Sequence, residues 1–178
     1  MIRKQLFIEI SWLAQFLDQM QIRLATRGDL ESIYLIEDQS FSDPYPHNLL
    51  TKLFHAYKDT FFVAQVQPQI VVGYCVAAQE GKSAHVISLG VLREYRRRGI
   101  GTALVQALLT NLSPRLNEVR LEVKQGNGDA IRLYERFGFE LMDLVEGYYT
   151  DGSAAVKMRL PLANGLKENA ESSGRRAA

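Results

Sequence analysis

The chain has 178 residues, 47% of them apolar and 23% charged, with a formal net charge of +1. That length suits one domain with a real core, and the near-zero charge argues against a nucleic-acid binder, which carries a clear basic excess. Its single cysteine, Cys75, excludes an internal disulfide and points to the reducing cytoplasm, and no apolar run reaches the roughly 18 residues of a membrane span.

Residues 1–20 carry Leu6, Ile10, Leu13, Leu17 and Met20 on one helical stripe, an amphipathic N-terminal extension. Glu9 interrupts the apolar stretch and no small-residue cleavage site follows, which argues against a signal peptide. Three readings stand for this segment: a helix packed on the domain, a helix for a partner or a membrane surface, or an extension upstream of a start at Met20. Residues 163–178 are small, polar and charged, and are expected to be disordered.

The domain is expected over residues 21–162. Ile22–Ala25 alternates as a strand. Thr26 and Asp29 read as the cap of a helix whose apolar side is Leu30, Ile33, Tyr34 and Ile36. The stretch Ser42-Asp-Pro-Tyr-Pro46 breaks it, and a second helix follows with Leu49, Leu50, Leu53, Phe54 and Tyr57 on one face. Phe61–Val66 and Ile70–Ala78 are β-rich runs joined by a hairpin at Gln67-Pro68, and His85–Leu92 is a further strand. Gly99–Leu112 is helical with Leu104, Ala107, Leu108 and Leu112 inward. Glu118–Lys124 is a strand, Asn127–Phe137 a helix, and Phe139–Val145 and Ala154–Leu160 closing strands. The order is β-α-α-β-β-β-α-β-α-β-β.

The three histidines, His47, His55 and His85, have no ligand-like spacing, so no metal is expected. Cys75 lies in the apolar run Val71–Ala78 and reads as a core thiol, with a reactive role as the alternative. The chemistry points elsewhere. Arg96-Arg-Arg-Gly-Ile-Gly-Thr102 sits between a strand and a helix. Glycines there let the backbone approach an anion, and the helix start offers N–H groups and a positive dipole end. An ordinary basic turn capping a helix is the alternative. Farther on, Asn127 is a good N-cap, and Tyr134 is seven residues later on the same helix face, about 10 Å away.

Together these two motifs resemble the GNAT superfamily of acetyltransferases. Its pattern Arg/Gln-x-x-Gly-x-Gly/Ala matches Arg96, Gly99 and Gly101, and its second pattern matches Asn127, Ala130, Leu133, Tyr134, Gly138 and Phe139. The resemblance implies an α/β fold of the α+β kind, with a mixed, mostly antiparallel central sheet splayed between strands 4 and 5 and flanked by helices. It implies acetyl-CoA as cosubstrate, no metal, and a cofactor site formed by Leu89, Gly90, Val91, Arg96, Arg97, Arg98, Gly99, Ile100, Gly101, Thr102, Asn127 and Tyr134. In it, backbone groups of Leu89 and Val91 pair with pantetheine amides, the N–H groups of residues 97–102 hold the pyrophosphate, and Tyr134 protonates the departing thiolate. Gly126 and Gly128 flank Asn127 where the family has bulkier residues.

Finer features, Ile36–Pro46, His85–Val91, Leu121-Glu-Val123 and Glu146-Gly-Tyr-Tyr-Thr-Asp-Gly152, look like the protein N-terminal acetyltransferases, the ribosomal-protein-alanine and archaeal types. This resemblance implies that His85 and Glu122 deprotonate the amine through water. It also implies that Phe41, Tyr45, Tyr148 and Tyr149 line a slot for a protein or peptide N-terminus. Association with a ribosome or a partner subunit is open. As residues alone, His85 could be structural, Glu122 could sit on a solvated face, and the two tyrosines could cover a hairpin. An α-amine has a pKa of about 7.7–8.0 and a lysine about 10.4, so weak bases suffice for the former and fall roughly 3–4 kcal/mol short for the latter. A GNAT enzyme of a small-molecule amine and a non-catalytic CoA-binding module are the competing expectations.

Overall fold

The computed structural model describes residues 20–67 and 70–163. The extension expected over 1–20 therefore lies outside the described residues except for Met20. The tail over 163–178 lies outside them except for Ala163. Seven strands are present among the described residues: β1 (Gln21–Leu24), β2 (Phe61–Gln67), β3 (Ile70–Glu80), β4 (Ser83–Val91), β5 (Glu118–Lys124), β6 (Glu140–Val145) and β7 (Ala155–Pro161). Four α-helices accompany them: α1 (Leu30–Ser40), α2 (His47–Ala56), α3 (Ile100–Asn111) and α4 (Gly128–Glu135). The strands form one sheet in the order β1-β2-β3-β4-β5-β7-β6.

Most neighbours run antiparallel; β4 and β5 are parallel. Their ladder joins Ser83–Val86 to Glu118–Leu121 and ends there, although β4 runs on to Val91 and β5 to Lys124. Closer association separates the chain into two compact units. Among the described residues, one holds those up to Val76 together with Ser88–Leu109; the other holds Ala77–Ile87 and those from Thr110 onward.

In the first unit, Thr26 and Asp29 form the expected capping box, but at a short 3-10 turn over Arg27–Asp29 that precedes α1, and Asp29 makes no side-chain cap to α1 itself. Its carboxylate accepts from the Thr26 N–H and hydroxyl, each at 2.7 Å, and from both terminal nitrogens of Arg23 at 2.7 Å. Arg23 and Thr26 hold that carboxyl down at about 2 despite its burial. Gln67 pairs with Ile70 across the β2–β3 hairpin, whose turn residues lie outside the described set. Helix α3 buries Ile100, Leu104, Val105 and Leu108, each contributing about 1.5–3 kcal/mol. Ala107 is only half-buried, and Leu112, expected inward, lies half-buried just past the helix end. Gly73 is required by close approach, since a Cβ there would sit 3.1 Å from the Gly90 carbonyl oxygen. Cys75 is fully buried with its Sγ 3.6 Å from the Leu104 carbonyl, and burial pushes the thiol up to about 12, the state of a core thiol.

In the second unit, β5 and β6 both pair with β7, so β6 is the outer strand. Helix α4 ends at Glu135, two residues short of the expected Phe137. Gly138 adopts φ of 87°, which stops the helix and turns the chain into β6.

Candidate active site

Strand alternation builds the first element of the site in the second unit. Val119, Leu121 and Val123 of β5 are buried, which puts Glu118, Arg120, Glu122 and Lys124 on the opposite face. On β4, Ala84 and Val86 are buried and His85 is exposed. The parallel register aligns His85 with Arg120, so Glu122 lies one step diagonally along the same face. His85 Nε2 and Glu122 Oε2 are 2.6 Å apart. The hydrogen bond to Glu122 raises the pKa of His85, and the same bond lowers that of Glu122. Lys157, directly opposite Glu122 on β7, lowers it further. A carboxylate only accepts, so the nitrogen facing it carries the proton and Nδ1 of a neutral His85 keeps its lone pair.

Asn127 caps α4, its side-chain oxygen accepting from the Ala130 N–H at 3.1 Å. Asn127 is exposed, and its amide NH2 can still donate. Tyr134 is buried one face down the same helix and packs edge-on against Phe139, with ring centroids 5.3 Å apart. Phe139 N–H in turn donates to the Tyr134 carbonyl at 3.1 Å. Tyr148 and Tyr149 stand edge-to-face at 5.1 Å in the β6–β7 connection. Desolvation, then the charge of Glu122, raises the Tyr148 phenol. An ion pair of Lys124 with Asp151 ties this connection to β5, and Asp151 also accepts from the Ser153 N–H and hydroxyl.

The first unit carries the basic turn. Arg97 has φ of 62° and Gly99 φ of 81°, so left-handed residues alternate through it. A Cβ on Gly99 would meet nothing within 4 Å, so the backbone conformation and not crowding selects glycine there. Arg96 Nε donates to the Val91 carbonyl at 2.9 Å, fastening the turn to the end of β4. Arg98 lies over the Tyr95 ring at 5.4 Å. The first turn of α3 presents the N–H groups of Ile100, Gly101 and Thr102, which have no acceptor within the helix. Convergent N–H donors, a helix dipole and flanking guanidinium groups fit a pyrophosphate. Leu89 is half-buried beside the buried Gly90 and Val91 at the end of β4.

Phe41 and Tyr45, 36% and 37% exposed, occupy the segment between α1 and α2 in the same unit. Beneath them lies a polar chain that sequence reasoning missed. Glu37, 2% exposed, accepts the Tyr45 N–H at 2.9 Å through Oε1 and the Tyr74 hydroxyl through Oε2. The Tyr74 oxygen is also 2.7 Å from Ser88 Oγ. The signal was present: Glu37 follows Leu30 and Ile33 at helical intervals and so falls on the buried stripe. The structure thus brings His85 to Glu122, Arg96 to Val91, and Glu37 to Tyr45. Among the described residues, no three His, Cys, Asp or Glu side chains cluster as a metal site.

The model of the acetyltransferase (GNAT) family matches residues 30–139. The chain belongs to the GNAT acetyltransferase family. This acetyltransferase is 36% identical over 158 residues to the N-alpha-acetyltransferase of Sulfurisphaera tokodaii, covering 81% of this chain and 94% of that one. Its fold is similar to the crystal structure of Ard1 from Thermoplasma volcanium, with TM-score 0.76, 32% identity, and 81% and 98% of the two chains covered. It is also similar to the ribosomal-protein-S18-alanine N-acetyltransferase of Escherichia coli, with TM-score 0.72, 28% identity, and 80% and 94% covered.

Proposed function

We propose that this GNAT acetyltransferase transfers the acetyl group of acetyl-CoA to the N-terminal α-amine of proteins. The observation that carries this reading is the direct contact of His85 with Glu122. An α-amine loses its proton near pH 8, and an imidazole made more basic by a carboxylate is matched to that task. The likeness to a relative named N-alpha-acetyltransferase supports the same substrate class.

Acetyl-CoA supplies the activated acyl group. The turn over residues 96–102 would hold its pyrophosphate through backbone N–H groups and guanidinium charge. The ends of the Leu89, Gly90 and Val91 backbone and the Asn127 amide would orient the pantetheine arm. His85, with Nε2–H directed to Glu122, would take the ammonium proton at Nδ1, directly or through one water. The neutral amine would form the new N–C bond as the C–S bond breaks; Tyr134 would give its hydroxyl proton to the sulfur and regain one, through water, as the amide nitrogen sheds its second proton. Phe41, Tyr45, Tyr148 and Tyr149 would contact the first residues of the protein substrate.

The test is incubation with acetyl-CoA and a peptide library varied at the first two residues, with products mapped by mass spectrometry. Acetyl groups on α-amines support the reading, and their confinement to lysine side chains or their absence overturns it.

A further inference from the structure

Helix α1 ends at Ser40, and the chain crosses to α2 through Phe41–Pro46 without joining a strand. Pro44 and Pro46 have no N–H to offer. The crossing is fixed at its start by the Phe41 N–H, which donates to the Glu37 carbonyl at 3.1 Å. It is fixed near its end by the Tyr45 N–H on Glu37 Oε1 at 2.9 Å. One residue therefore holds both ends, once through its backbone and once through its side chain. The second carboxyl oxygen is taken by Tyr74 of β3, which in turn contacts Ser88 of β4. Tyr74 is completely buried. Tyr74, Ile36 and Phe41 all close around Gly90, where a Cβ would lie 3.0 Å from the Tyr74 ring, 3.0 Å from Ile36 and 3.5 Å from the Phe41 ring.

The composition of this cluster is expensive for stability alone. Burying a carboxyl among neutral donors sacrifices its hydration, and burial does push the Glu37 carboxyl upward. An aliphatic residue in the same stripe with Leu30, Ile33 and Ile36 would avoid that cost. It could not, however, hold the Tyr45 N–H. The price is understandable where the position of the crossing matters.

We propose that Glu37 is a positioning residue for the amine substrate, its carboxylate locked by Tyr74 so as to set the segment that carries Phe41 and Tyr45. This rests on the reading of those two aromatics as contacts for a protein N-terminus. Glu37 touches neither substrate nor cosubstrate and acts through Tyr45 and Tyr74.

The experiment compares Glu37→Ala, Glu37→Gln and Tyr74→Phe in the full chain, by hydrogen exchange and by separate KM values for peptide and acetyl-CoA. Glutamine keeps an amide oxygen for the Tyr45 N–H, and its NH2 can donate to the Tyr74 oxygen, which then donates to Ser88. Exchange of the Phe41 and Tyr45 amides should rise about tenfold or more in Glu37→Ala, with that of β3 and β4 unchanged. The peptide KM should rise by about tenfold while the acetyl-CoA KM stays within about twofold. Glu37→Gln should recover most of both effects, and Tyr74→Phe should fall between. If Glu37→Ala does not fold, Tyr74→Phe against Glu37→Gln decides by the same two readouts. Unchanged exchange in the segment, or equal rises in both KM values, overturns the proposal. Should the wild-type protein acetylate no peptide, the functional reading fails by itself, and exchange alone then decides whether Glu37 holds the segment.

Discussion

His85 and Glu122 come from different strands, 37 residues apart in the chain, and meet through a 2.6 Å hydrogen bond. Their pKa shifts have opposite signs. His85 is raised, so the stability it contributes is present below its unfolded pKa and is lost as pH climbs through the raised value. Glu122 is lowered, so its contribution is present above its unfolded pKa and is lost as pH falls through the depressed one. The pair therefore stabilises the fold between those limits. His85 is 49% exposed, which keeps its worth below about 1 kcal/mol. Its catalytic worth should be larger. His85→Ala or Glu122→Gln should lower kcat by roughly 10–10³, with partial rescue at high pH where the amine deprotonates in water. In Glu122→Gln the NMR titration of His85 should move to lower pH. Wild-type rates near neutral pH in both variants would make the pair structural.

Tyr134 is assigned the opposite proton step, and the two are separable. Tyr134→Phe should lower kcat without alkaline rescue, because the missing group is an acid. The edge-on contact with Phe139 needs only the ring and is kept in this variant. A kcat–pH profile that parallels that of His85→Ala would contradict the assignment.

Gly99 tests the anion turn. At φ of 81° any side chain is strained, by about 1–2 kcal/mol, and a carboxylate would add charge repulsion where the pyrophosphate goes. Gly99→Glu should abolish acetyl-CoA binding in calorimetry, while Gly99→Ala should weaken it. Unchanged affinity in Gly99→Glu would remove the turn from the site.

A chain begun at Met20 should fold and stay active. Strand β1 starts at Gln21 and pairs with β2 from its first residue, Gln21 with Gln65. Insolubility or a much lower melting temperature would make residues 1–19 part of the core.

Much of the fold was readable because alternation and helical spacing survive without tertiary context. The expected strand over Glu118–Lys124 coincides with β5, and Asn127 caps α4 as its side-chain chemistry requires. Boundaries were less readable: β3 extends to Glu80 beyond the apolar run, since its ladder and not hydrophobicity decides its length. Two relationships in the candidate site were hidden for a different reason. The direct contact of His85 with Glu122 depends on the parallel register of β4 and β5, which no local spacing encodes. Helical spacing puts Glu37 on the buried stripe of its helix, but it does not name the partners that close over the carboxyl, Tyr74 and the Tyr45 N–H. The partners of a buried carboxyl come from elsewhere in the chain, so its own segment can signal the burial and not the contacts.

The α-amine is the central claim, and a matched pair of peptides tests it most directly. One has a free N-terminus and an acetylated lysine; the other has an acetylated N-terminus and a free lysine. The account predicts that kcat/KM near neutral pH favours the first by about two orders of magnitude or more, following the cost of deprotonating lysine. Equal rates, or a preference for the free lysine, would contradict it.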